Sequence, residues 1–140
     1  MRHSDLTFRP GQVVTFDFDS TLLWWGVTRD EDGDVDEMFP AGQNPHTWPI
    51  FTAALDRGAQ VNIVTSRMER LRAETERILD EWGVLDRLSG VHFTNGQPKR
   101  TMLSVLGSTA HFDDDEEELN DLPPGCEGFL APIHPSWNEV

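Results

Sequence analysis

Short apolar runs that alternate with amphipathic stretches predict an α/β fold: a parallel sheet of about five strands, helices on both faces and a β-hairpin flap near the start. Two further observations support that class. The apolar runs are bounded by Gly, Pro, Asp, Ser or Thr, as buried strands are, while the segments between them carry apolar residues at helical spacing. At 140 residues the chain can bury one such core and is too short for two, so residues 1–140 read as a single domain.

The first run, Val13-Val14-Thr15-Phe16-Asp17-Phe18, follows Pro10-Gly11 and closes on Asp, Ser and Thr, which predicts a buried strand with polar residues at its carboxyl end. Residues 24–42 then read as a hairpin flap, with Val27-Thr28-Arg29 and Val35-Asp36-Glu37-Met38-Phe39 as its arms and Asp30-Glu31-Asp32-Gly33-Asp34 as its tip. Gly33 is misplaced for an EF-hand calcium loop, so the tip is read as a solvated turn. Asn44-Pro45 has the form of an N-cap and first-turn proline, and Trp48, Phe51, Ala54 and Leu55 continue a helix that Gly58 stops.

Val61-Asn62-Ile63-Val64 predicts a second sheet strand, ending in Thr65-Ser66-Arg67. Leu71, Ile78, Leu79 and Trp82 share one face of a crossover helix over residues 69–82 that ends near Gly83. Val91-His92-Phe93 is a short strand; Met102, Leu103 and Leu106 mark a short helix before Gly107. Thr109-Ala110-His111-Phe112 is the next strand and closes on Asp113-Asp114-Asp115. Gly128-Phe129-Leu130-Ala131 adds the fifth, and residues 132–140 form an irregular tail with Pro132, Pro135 and Trp137.

The charge of -14, from 25 acidic and 11 basic residues, penalises approach to a polyanion. The single cysteine, Cys126, makes no internal disulfide, residues 1–5 lead into no apolar signal core, and no run approaches the roughly 18 apolar residues of a membrane span. A cytoplasmic location and no membrane partner are expected.

Carboxyl ends of parallel strands are where open α/β sheets build sites. Three of them bring Asp17 with Asp19, Thr65 with Ser66, and Asp113 with Asp114, and Lys99 lies in the loop before the short helix. Carboxylates gathered at one point need a cation, and hard oxygen donors suit Mg²⁺. A lysine and a hydroxyl beside that cation would hold an anion such as a phosphoryl group. A carboxylate can attack phosphorus, and a second one can move the protons.

At these residues the sequence resembles the haloacid dehalogenase superfamily of phosphohydrolases, whose fold is a Rossmann-like sheet. Asp17-Phe18-Asp19-Ser20-Thr21 looks like its DxDxT motif, Val64-Thr65 like its second, Lys99 like its third, and Phe112-Asp113-Asp114 like its fourth in the paired-aspartate form. The resemblance spans about residues 13–131 and implies an Mg²⁺-dependent phosphomonoester hydrolase. It makes Asp17 the nucleophile and a metal ligand, and Asp19 the acid/base that also gives the metal its backbone carbonyl. Thr65, with Ser66 beside it, and Lys99 would bind the phosphoryl group. Asp113 and Asp114 would complete the metal shell, with Asp115 ranked below them, and Thr21 would steady the loop.

The gaps between motifs hold only the hairpin, two helices and a strand, so no large cap domain is expected. A small phosphorylated metabolite or nucleotide is the favoured substrate, and an oligomer could narrow the open site. The alternative is a nucleic-acid 3′-end phosphatase similar to the phosphatase domains of polynucleotide kinase-phosphatases, which the net charge disfavours. A non-catalytic, signalling-type phosphate-binding domain is the alternative of another class. A receiver domain carries its acidic pair early and its acceptor late, the reverse of the order here. Arg67 and Arg100 are candidates for a distant anionic group, and Trp24 or Trp25 for stacking on a ring. The histidines share no metal-like spacing and receive no role.

Overall fold

The run after Pro10-Gly11 forms the central strand β1, Val13–Phe16, in the computed structural model, which describes residues 6–138. The N-terminal segment 1–5 and the last two residues of the expected tail lie outside the described residues. The hairpin follows as β2, Leu23–Arg29, and β3, Val35–Gln43, an antiparallel pair in a sheet of its own. Its arms are longer than the sequence suggested but surround the expected tip.

Strand β4, Gln60–Thr65, and strand β6, Ala110–Asp113, flank β1 in parallel. Strand β5, Gly90–Phe93, extends the β4 side and β7, Glu127–Leu130, the β6 side, giving the order β5-β4-β1-β6-β7. This is the expected α/β architecture. The chain builds outward from β1 in one direction, then crosses back and builds in the other. Between β1 and β6 the two directions part, which opens a crevice at the carboxyl ends.

Period-2 alternation divides the sheet's side chains between its faces. Val14, Phe16, Val61, Ile63 and Phe112 are buried in the main core with Phe51, Ala54 and Leu55 of helix α1, Trp48–Asp56, and Leu79 of α2, Arg72–Glu81. The sheet register aligns Phe16 with Phe112 and Phe112 with Phe129. Their rings stack at 4.7 and 4.8 Å, and each such pair contributes about 0.5–1.5 kcal/mol beyond burial. On the other face lie Thr15, Asn62, His92 and His111, with the short helices α3, Arg100–Leu106, and α4, Glu116–Leu119. Gly128 belongs there because a Cβ would meet Leu122 at 2.8 Å and Leu119 at 3.1 Å.

Helix α1 starts later than Asn44-Pro45 suggested: Thr47 is its N-cap and Pro49 stands in its first turn. Asn44 is fully buried instead, its Nδ2 donating to Ser20 O and Pro132 O and its Oδ1 accepting from His46 N. The amide therefore ties three loops together, which a capping assignment overlooks. The C-terminal segment clamps the hairpin. Trp24 Nε1 donates to Pro132 O, Trp137 Nε1 to Trp25 O, and Arg29 to Trp137 O. Among the described residues, no helix is long and apolar enough to cross a membrane.

Candidate active site

Strand β1 ends at Phe16, so Asp17 is the first residue past the sheet, its N–H still held by Phe112 O at 2.9 Å. The chain then turns tightly: Phe18 O accepts from both Leu22 N and Leu23 N, and Ser20 takes a positive φ of 67°. A non-glycine residue in that region stores strain, which the surrounding bonds must hold. The turn keeps Asp17, Asp19 and Ser20 together on the wall of a cavity of about 230 Å³, shared with Ser66, Lys99, Asp113, Asp114, Asp115 and Glu118.

Lys99 is 2 % exposed, and its ammonium donates to Asp17 Oδ1 at 2.9 Å and Asp113 Oδ2 at 2.7 Å. Thr21 Oγ1 donates to Asp17 Oδ2 at 3.1 Å and also reaches Asp114 Oδ1 at 3.4 Å. Oxygens of Asp17, Asp113 and Asp114 all lie within 4.8 Å of one another. Three carboxyl groups crowd one ammonium, which bonds only Asp17 and Asp113, so the acidic groups outnumber the cation that faces them. Burial and the neighbouring Asp113 and Asp114 hold the Asp17 carboxyl well above its ordinary range, against the pull of Lys99. Asp114 is also raised, chiefly by burial and then by Asp113. Burial alone would lower the Lys99 ammonium, yet Asp17 and Asp113 together carry it above the usual lysine range. An all-oxygen donor set with more carboxyl groups than cations fits Mg²⁺.

Asp113 is held differently. Burial would raise it, but His111 and Lys99 keep it below its ordinary value. His111 Nε2 lies 2.9 Å from Asp113 Oδ2, and Nδ1 lies 2.8 Å from Thr15 Oγ1, which in turn is 2.8 Å from Ser108 Oγ. Donation from Ser108 to Thr15 to Nδ1 leaves the Nε2 proton for the carboxylate, a self-consistent assignment that orients Asp113 from behind. Spacing among the histidines assigns His111 no role. Its signal was the period of two along β6, which puts His111 and Asp113 on the same face.

Asp19 stands outside the three-carboxylate cluster. Arg67 grips it in a two-pronged ion pair, Nε to Oδ2 and Nη2 to Oδ1, both 2.8 Å, and Trp25 Nε1 donates to Oδ1 at 2.9 Å. Its side chain remains 37 % exposed to the cavity. Arg67 therefore serves the expected acid/base rather than waiting free for a distant anion. Ser66 lines the cavity, whereas Thr65 is fully buried at the end of β4 with its Oγ1 accepting from Arg67 N.

The remaining candidates are engaged elsewhere, although Asp115 still lines the cavity. Asp115 caps α4, its carboxylate accepting from Glu117 N, and Arg100 donates to Leu122 O across the surface. Trp24 packs edge-on to His46 and His134, away from the cavity. At the hairpin tip, Asp30 Oδ1 accepts from Asp32 N and Asp34 N, a turn-forming role. Compared with known proteins, the chain matches no family model and no curated sequence.

Proposed function

We propose that this chain is an Mg²⁺-dependent phosphomonoester hydrolase of the haloacid dehalogenase type, working through an aspartyl phosphate on Asp17 in the cytoplasm. The observation that carries the reading is the convergence of Asp17, Asp113 and Asp114 around Lys99 at the point where the sheet order reverses. Asp17, Asp113 and Asp114 would hold the ion, with the Asp19 carbonyl as a further donor. Bound there, Mg²⁺ supplies positive charge against the phosphoryl oxygens.

Asp17 attacks phosphorus, forming a P–O bond as the bond to the leaving oxygen breaks, and Asp19 gives that oxygen a proton. Water then attacks the phosphorus of the aspartyl phosphate while Asp19 takes its proton back. Phosphate departs and Asp17 is regenerated. Lys99, which donates to Asp17 here, would hold a phosphoryl oxygen along the same direction, and Ser66 faces the cavity as a second donor. His111 keeps Asp113 aimed at the site.

The decisive measurement is phosphate release from an aryl phosphate with and without Mg²⁺. Beryllium fluoride, a mimic of a carboxylate-bound phosphoryl group, is expected to attach to Asp17 only when Mg²⁺ is present. A crystal showing it elsewhere would overturn the covalent mechanism.

The pH dependence of metal binding follows from the carboxyl groups. Asp17 and Asp114 are raised in the fold, so the metal-free folded state holds protons that the unfolded chain loses from about pH 4 upward. Their contribution to stability is present at low pH and falls as pH rises through the folded values. Mg²⁺ should therefore stabilise strongly at pH 7 and weakly near pH 4, where protons compete for the same oxygens. At a hundredfold excess over Kd the gain is about 2.7 kcal/mol, or roughly 9 °C for a chain this size. Thermal scans at both pH values, with and without Mg²⁺, check this.

A further inference from the structure

Asp19 takes more donors than an ion pair requires, and they arrive from two separate parts of the chain. Arg67, past the end of β4, gives Nε to Oδ2 and Nη2 to Oδ1, and Trp25 of β2 adds its Nε1 to Oδ1 at 2.9 Å. A guanidinium fork and a carboxylate share one plane and can swing together. A third donor from another element stops that swing. Each carboxylate oxygen has room for about two hydrogen bonds. Among the described residues, Oδ1 accepts from both Arg67 and Trp25 while Oδ2 accepts from Arg67 alone, so Oδ2 is the oxygen with room for a proton.

Trp25 is itself held in place. The pairing of β2 with β3 slips between Leu23 and Trp25, and irregularities of this kind re-aim a side chain. Trp25 stands opposite Pro40, which has no N–H to give the Trp25 carbonyl. The C-terminal turn Pro135–Trp137 supplies a donor instead, with Trp137 Nε1 bonding Trp25 O at 2.8 Å. The same turn meets β2 at every second residue beyond: Ser136 Oγ accepts from Val27 N at 2.9 Å, and Trp137 O accepts from Arg29 Nη2 at 2.9 Å. A chain of bonds thus runs from the C-terminal turn, through the carbonyl and ring of Trp25, to the carboxylate of Asp19.

We infer that Trp25 is a positioning residue for the acid/base, that it presents Oδ2 of Asp19 to the leaving oxygen, and that the C-terminal turn sets its aim through Trp137. Trp25 has this role only under the phosphatase reading, which makes Asp19 the proton carrier. As the bond from phosphorus to the leaving oxygen breaks, its electron pair stays on that oxygen and the proton on Asp19 Oδ2 moves there. Misplacing a reacting group by about 1 Å can cost about 10²-fold, so loss of one donor of three, with the Arg67 fork retained, is expected to cost about tenfold. That loss falls on leaving groups that need the proton.

Trp25→Phe keeps an aromatic ring and deletes the N–H. Steady-state kinetics in Mg²⁺ on phenyl phosphate and p-nitrophenyl phosphate isolates the effect. The kcat/KM covers the steps up to the aspartyl phosphate, and the nitro group lets its phenolate leave with little help from an acid. The ratio of kcat/KM for phenyl over nitrophenyl phosphate is expected to fall about tenfold in Trp25→Phe and about threefold in Trp137→Phe. Indole N–H signals in the NMR spectrum of the metal-free protein give a readout that needs no turnover. The chain has five tryptophans, and the Trp25 signal is the one that Trp25→Phe removes. It is expected to move in Asp19→Ala and to exchange with solvent at least about tenfold faster in Trp137→Phe. An equal loss on both substrates, or no loss, would overturn the positioning role and leave the phosphatase reading standing. If Trp25→Phe does not fold, the ratio in Trp137→Phe decides between these outcomes. A Trp25 signal indifferent to Trp137→Phe would overturn the coupling to the C-terminal turn. Wild-type protein that releases phosphate from neither substrate would remove the phosphatase reading and the role of Trp25 with it.

Discussion

Asp17→Asn is expected to lower Mg²⁺-dependent hydrolysis of an aryl phosphate by at least about 10⁴-fold while the protein stays folded. The substitution keeps the shape of the side chain. Its amide oxygen can still accept from Lys99, and its NH₂ can face Thr21 and Asp114, so the packing at the end of β1 survives. What it removes is the anionic oxygen that attacks phosphorus. It also removes one of the carboxylates whose mutual repulsion and burial raise Asp17 in the metal-free fold. The metal-free variant should therefore melt no lower than the wild type at pH 7, and its response to Mg²⁺ should shrink. Steady-state kinetics and thermal scans on one preparation separate the outcomes. Turnover within tenfold of wild type would rule out the covalent route, whereas a collapsed melting temperature would show that Asp17 is a structural residue first.

The sheet was legible because its strands are short apolar runs with polar closures; the placement of Asp17, Asp113 and Asp114 follows from strand ends meeting at one edge, and the loop before α3 brings Lys99 to the same point. Local cues misled where tertiary contacts outweighed them. Asn44-Pro45 carries a capping pattern, yet the amide is worth more inside, where its Nδ2 bonds Ser20 O and Pro132 O and its Oδ1 accepts from His46 N, so that a fully buried side chain is satisfied at both ends. Asp115 was grouped with its neighbours by composition, yet its backbone geometry makes it the cap of α4. The grip on Asp19 was illegible for a different reason: Trp25 and Arg67 reach it from the hairpin and from the end of β4, and no sequence spacing encodes that meeting. His111 was readable in principle. Its strand parity with Asp113 places the two side chains together, but a search for metal-like spacing among histidines passes over a histidine that serves a carboxylate.

Lys99→Met is expected to have the largest effect on stability of any change at the site, and its pattern of rescue distinguishes charge compensation from packing. Methionine preserves most of the buried stem and deletes the ammonium that Asp17 and Asp113 share. Asp17 and Asp113 are 5 % and 1 % exposed, so water cannot replace it. Leaving buried charge without its partner costs about 3–5 kcal/mol, and that loss is expected at pH 7 without Mg²⁺ in urea denaturation. The sign with pH follows from the carboxyl groups: losing Lys99 removes a force that lowers both Asp17 and Asp113, so both rise in the fold. A raised carboxyl stabilises below its unfolded value and loses that contribution as pH rises. The defect should therefore be small near pH 4 and grow toward neutrality. Mg²⁺ should recover part of the stability, since a cation can offset the same carboxylates, yet hydrolysis should stay about 10²- to 10³-fold down because the phosphoryl donor is gone. A loss of stability that ignores both pH and Mg²⁺ would instead mark Lys99 as a packing residue, and the charge balance inferred for the site would fail with it.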